Sequence, residues 1–139
     1  MQDPRMMNTT SLAFLGDAVY EVYIRNHVME SGQVNANRLH SMAVKYVRAQ
    51  SQASVLKQML GGFLTEEETA LAKRARNHRS SSRPRHADPV DYKLATAFEA
   101  LIGYLYLKRD EKRAREIMAE AVRLTDASEP RGSGDKEKK

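Results

Sequence analysis

The stretch Leu94 to Leu107 reads LATAFEALIGYLYL, fourteen residues that carry one charge, Glu99. A run this apolar is expected to be buried, yet it falls short of the roughly 18 uncharged residues that a membrane span needs. Asp88-Pro89 just ahead of it reads as an N-cap and first helical position, predicting a helix that runs to about Leu107. An ionised carboxylate taken into an apolar environment costs several kcal/mol unless a cation or hydrogen bonds compensate it. Glu99 therefore needs a partner.

A second stretch poses the same demand. FLGDAV, Phe14 to Val19, places Asp17 inside Leu12 to Met29, where apolar residues fill almost every side. The β-branched residues there suit a strand, but the length exceeds one, so a helix buried all round is the reading. A buried acid is often held by an arginine or by helix-terminal amides. Here Arg25 stands two turns from Asp17, far for pairing along a helix, and Glu21 at i+4 stacks a like charge beside it. Two acids on two buried helices can instead flank one hard divalent cation. Mg²⁺ accepts one or two protein carboxylates, keeps several waters and takes phosphate oxygens from a substrate, which suits phosphodiester chemistry.

The remaining pattern is helical throughout, so the fold class is all-α. SGQ at Ser31 to Gln33 is a break, and Asn35 or Asn37 can cap a helix toward Gln50 with Leu39, Met42, Ala43, Tyr46 and Val47 on one stripe. Another helix spans Ser51 to Leu60 and stops at Gly61-Gly62. Thr65 followed by Glu66, Glu67 and Glu68 is a capping-box signature, with Lys73, Arg74 and Arg76 at the other helix end. Asp110 opens a final helix to Leu124 with Ala114, Ile117, Met118, Ala121 and Val122 inward. At 139 residues and 41% hydrophobic content, one domain over 1–126 is expected, followed by a polar, disordered tail over 127–139. The chain has no cysteine, which removes thiolate nucleophiles and Cys-based zinc sites. Its start lacks the apolar segment of a signal peptide, so a soluble, cytoplasmic protein is expected, with no membrane partner.

Net charge is +5, and its distribution says more than its size. Lys73, Arg74, Arg76, Arg79, Arg83 and Arg85 fall between Lys73 and Ala87 with no acid among them, and Asn77 lies inside the segment. In isolation such a run can be a merely solvated loop. All nine Phe and Tyr lie outside it, so it lacks the stacking platform usual for single strands, whereas phosphate and 2′-hydroxyl contacts suffice for an A-form duplex. His27, His40, His78 and His86 show no metal-ligand spacing, and hydrolase-elbow, dinucleotide and P-loop motifs are absent.

FLGDAV followed much later by TAFEALIGYLYL resembles the two signature helices of the ribonuclease III catalytic domain, with GDAVYEVYIR in the form of the short Mini-III subfamily. The likeness covers about Ser11 to Leu124. It implies a homodimeric, Mg²⁺-dependent endoribonuclease that cuts double-stranded RNA, leaving 5′-phosphate and 3′-hydroxyl ends, and acts in maturation of the large-subunit (23S) ribosomal RNA precursor. Asp17 and Glu99 match the family's catalytic metal-site acids. Ala13 and Thr96 stand where longer relatives carry two more, a reduced pattern that Mini-III enzymes share. Phe14 matches the aromatic that packs across the family's dimer interface. Ribonuclease-III-like domains that serve as non-catalytic RNA-binding or ribosome-associated modules have lost their acids, and retention of both here favours the enzyme.

Overall fold

In the computed structural model, which describes residues 2–78 and 88–129, five of the six α-helices begin at a short polar side chain that caps them. After a 3-10 turn at Pro4–Met6 come α1 (Thr9–Met29), α2 (Ala36–Val47), α3 (Ala49–Met59), α4 (Glu66–Asn77), α5 (Pro89–Leu107) and α6 (Glu111–Ala127). Asn8 caps α1, Asn35 caps α2, Asp88 caps α5 ahead of Pro89, and Asp110 caps α6, each accepting from backbone N–H groups of the first turn. At α4 the capping box is complete: Glu68 N–H donates to Thr65 Oγ1 at 3.1 Å and Thr65 N–H to Glu68 Oε1 at 3.0 Å. No strand occurs among the described residues.

The exception is the junction of α2 and α3. The expected helix to Gln50 ends at Val47 instead, because Arg48 adopts an extended conformation and no side chain caps α3. Gln52 compensates from below: its Nε2 donates to the Val47 carbonyl at 3.0 Å, covering one acceptor that the end of α2 leaves free. At the end of α5, Arg109 takes the left-handed conformation, and Asp110 N–H reaches back to the Leu105 carbonyl at 3.0 Å. That closure turns the chain into α6.

Helix α5 is the centre, packed against α1, α3, α4 and α6. Phe98, Leu101, Ile102 and Leu105 on it are fully buried, and each such side chain contributes about 1.5–3 kcal/mol through area removed from water. The inward residues expected on α6, Ala114, Ile117, Met118, Ala121 and Val122, are all buried. Helix α6 runs on to Ala127, past the expected stop at Leu124; residues 130–139 of the expected tail lie outside the described set.

The expectation that α1 is buried all round is corrected. Leu12, Tyr20 and Ile24 face the core, but Phe14 is 83% and Val22 61% exposed, with Ala18 exposed between them. Those three share one stripe at i, i+4, i+8, so the apolar excess of this helix is an outward face, not a second buried one.

Candidate active site

Two glycines decide where the acids lie. A Cβ built on Gly16 would stand 1.7 Å from the Glu99 carbonyl oxygen and 2.8 Å from Gly103 N; one built on Gly103 would stand 2.0 Å from the Leu12 carbonyl oxygen. The backbones of α1 and α5 therefore touch at this crossing, and no other residue type fits at either point. Tyr20 and Phe98 meet edge to face beside it, ring centres 4.9 Å apart. Asp17 follows Gly16 directly, so the crossing brings its carboxyl group to that of Glu99, within hydrogen-bonding reach.

Burial differs from expectation. Asp17 is exposed and Glu99 half-buried, so the pair sits at the rim of the core with one side open to solvent. Glu99 nevertheless has its pKa raised to about 8, first by burial, then by the charge of Asp17 and the hydrogen bond with it; the Gln52 side chain works against the rise. Glu21, read as a like charge stacked on Asp17, is taken by Arg25 in an ion pair of 3.1 Å. Ala13 is buried, and Thr96 turns its hydroxyl back to donate to the Tyr92 carbonyl at 2.9 Å. Among the described residues no three His, Cys, Asp or Glu side chains gather as metal ligands. Among the described residues, Asp17 and Glu99 are the acids that meet at this crossing.

This pair should leave a mark on stability. A glutamate with folded pKa near 8 binds its proton more tightly in the native state than in the unfolded chain, whose pKa is about 4.5. Native protein thus holds the extra proton across that window, and stability falls as pH rises through it. Metal-free protein is expected to unfold at lower urea concentration at about pH 8.5 than at about pH 6, with Glu99→Gln flattening the difference. Equal slopes in the two proteins would deny the shift.

The basic segment is partly committed to the fold. Lys73 is exposed, but Arg74 donates to the carbonyls of Met7 and Arg5, both at 3.3 Å, tying α4 to the chain start. Arg76 is half-buried, its Nε donating to Asn77 Oδ1 at 3.2 Å. Arg79, Arg83 and Arg85 lie outside the described residues. Sequence reasoning missed the buried ion pair of Glu68 with Arg113, whose two guanidinium bonds are 2.8 Å long. It read Glu68 only as a cap. It also passed over Gln52, although a lone amide facing a run of Ala53, Val55, Leu56 and Met59 was visible.

The ribonuclease III domain model matches residues 10–110. A Mini-ribonuclease 3 of Enterococcus faecalis is 44% identical over 85% of this chain and 90% of its own length. One from Brevibacillus brevis is 46% identical over 90% of this chain and 92% of its own. A crystal structure of a Fusobacterium nucleatum protein superposes with a TM-score of 0.76 at 33% identity, covering 88% of this chain and 98% of that one.

Proposed function

Because the chain belongs to the ribonuclease III family, whose activity is endoribonucleolytic, we propose that it cleaves double-stranded RNA at Asp17 and Glu99 with Mg²⁺, as a homodimer. The observation that carries the reading is the meeting of these two carboxyl groups at the Gly16–Gly103 crossing, open to solvent on one side.

The donor set suits the metal. Two carboxylates, one of them resisting ionisation while no cation balances the charge, match a cation that takes few protein ligands and fills its shell with water and phosphate oxygens. Asp17 and Glu99 would hold it; once bound it supplies an activated water and neutralises charge at the phosphate. The chain's part is to hold Glu99 where its proton can leave and Asp17 where solvent and substrate reach it. Lys73 and the acid-free segment through Arg85, with Arg74, Arg76, Asn77, Arg79 and Arg83, supply positive potential for the RNA backbone. Arg74 and Arg76 contribute charge from fixed positions, since both already hold partners.

Dimerisation is read from α1. Phe14, Ala18 and Val22 form an outward apolar stripe beside Asp17, and a two-fold axis through it would set two sites across the antiparallel strands of one duplex. Phe14→Glu is expected to shift sedimentation to the monomer. Each buried Phe is worth about 1.5–3 kcal/mol and a two-fold interface loses it twice, so dissociation should strengthen about 100-fold or more, with duplex cleavage falling in parallel. An unchanged dimer would move the interface elsewhere.

The cytoplasmic maturation of the large-subunit (23S) ribosomal RNA precursor is carried by the likeness to Mini-ribonuclease 3 enzymes. Mapping the 5′ ends of total RNA in a strain lacking the protein tests it, unprocessed large-subunit ends being the expected result. Among the described residues no helix is long and apolar enough to cross a membrane. The test of the chemistry is incubation with long duplex RNA, with and without Mg²⁺, of native protein, Asp17→Asn and Glu99→Gln. Cleavage by native protein alone, and only with the metal, is expected.

A further inference from the structure

Gln52, on the first turns of α3, is 2% exposed, and its helix neighbours Ala53, Val55, Leu56 and Met59 are buried apolar residues. A leucine there would fill similar space, whereas a buried amide left partly unpaired costs about 1–3 kcal/mol. Covering the Val47 carbonyl gives one N–H of the glutamine a structural use and leaves the rest of the amide unexplained. Its Nε2 donates to the Val47 carbonyl at 3.0 Å, and the same side chain lies beside that of Glu99, whose ionised form it favours. Its Oε1 is buried and has no hydrogen-bond partner among the described residues. The amide thus sits between the end of α2, which it bonds, and the Glu99 side chain on α5, with its acceptor unspent.

We infer that Gln52 is a positioning residue for cleavage, fixing the Glu99 carboxyl in the orientation that receives the cation. The bond to the Val47 carbonyl tethers the amide beside the Glu99 side chain. The inference rests on the reading of Glu99 as a cation ligand.

The test compares Gln52→Leu and Gln52→Asn with native protein, using Mn²⁺ binding without RNA by electron paramagnetic resonance, thermal melting, and kcat and KM on duplex RNA. Leucine removes the amide at little change in volume; asparagine keeps it but draws it back by one methylene. Both variants are expected to bind Mn²⁺ about 10- to 100-fold more weakly and to lose kcat by a similar factor, while KM for RNA stays near native. If Gln52→Leu does not fold, Gln52→Asn carries the measurement. Native Mn²⁺ affinity and kcat in a folded variant, or failure of both variants to fold, would reduce Gln52 to a brace of the α2–α3 junction and overturn the inference. Asp17→Asn and Glu99→Gln measured alongside separate the two ideas. If they too keep Mn²⁺ binding and cleavage, the cation reading itself has failed; if they lose both while the Gln52 variants keep both, Gln52 alone is wrong.

Discussion

Gly16→Ala is expected to leave the chain unable to hold its fold. The added methyl carbon would stand 1.7 Å from the Glu99 carbonyl oxygen, 2.7 Å from its carbonyl carbon and 2.8 Å from Gly103 N. All three are backbone atoms of a central helix, so no rotamer change relieves the contact. Helices α1 and α5 must move apart instead, and the gap opens among Leu12, Tyr20, Phe98 and Leu101, all buried at this crossing. Overpacking a core with flexible neighbours costs about 1–3 kcal/mol; a clash with rigid backbone exceeds that and approaches the whole stability of an average domain, about 5–15 kcal/mol. Gly103→Ala meets the Leu12 carbonyl at 2.0 Å and should behave alike. Circular dichroism and urea titration of the purified variants measure this. A midpoint within about 1 kcal/mol of native would mean that the two helices do not touch as described.

The same glycine explains why the sequence is informative about the site. FLGDAV is legible because one residue permits contact and the next exploits it: Gly16 lets α1 reach α5, and Asp17 is delivered to Glu99. Caps were legible for the same local reason, since Asn35, Thr65, Asp88 and Asp110 act within one turn of where they stand. What the sequence conceals is which face of an all-round apolar helix looks outward. Phe14 and Val22 are as apolar as Leu12 and Ile24, and only the placement of α5 separates exposed from buried. The same limit misplaced Asp17 in the interior. Long-range partners are concealed too: Arg113 lies on α6, and nothing near Glu68 announces that it will find a guanidinium there. Arg74 shows the converse, a cation in a run that invites a ligand, yet turned onto the carbonyls of Arg5 and Met7.

Glu99→Gln is the sharper of the two acid substitutions, because it separates folding from chemistry. Glu99 in the metal-free protein has a pKa near 8, so near neutral pH it is largely the neutral acid that the fold accommodates. Glutamine copies that form in shape and charge and cannot ionise. The variant should therefore fold at least as well as native protein, and above about pH 8 better, since native protein must then carry an ionised, half-buried carboxylate. Cleavage of duplex RNA should fall by about 1,000-fold or more, the scale of several kcal/mol of charge stabilisation lost at the phosphate. Asp17→Asn should lose cleavage to a similar degree without that gain, because Asp17 is exposed and the gain comes from the half-buried Glu99. Removing the Asp17 charge also withdraws one cause of the Glu99 shift, so the pH dependence of stability should weaken in Asp17→Asn as well. Single-turnover cleavage with saturating Mg²⁺, paired with urea titration across pH, reads both consequences. A Glu99→Gln protein that is folded and cleaves within about tenfold of native would show that this carboxyl group takes no part in the reaction.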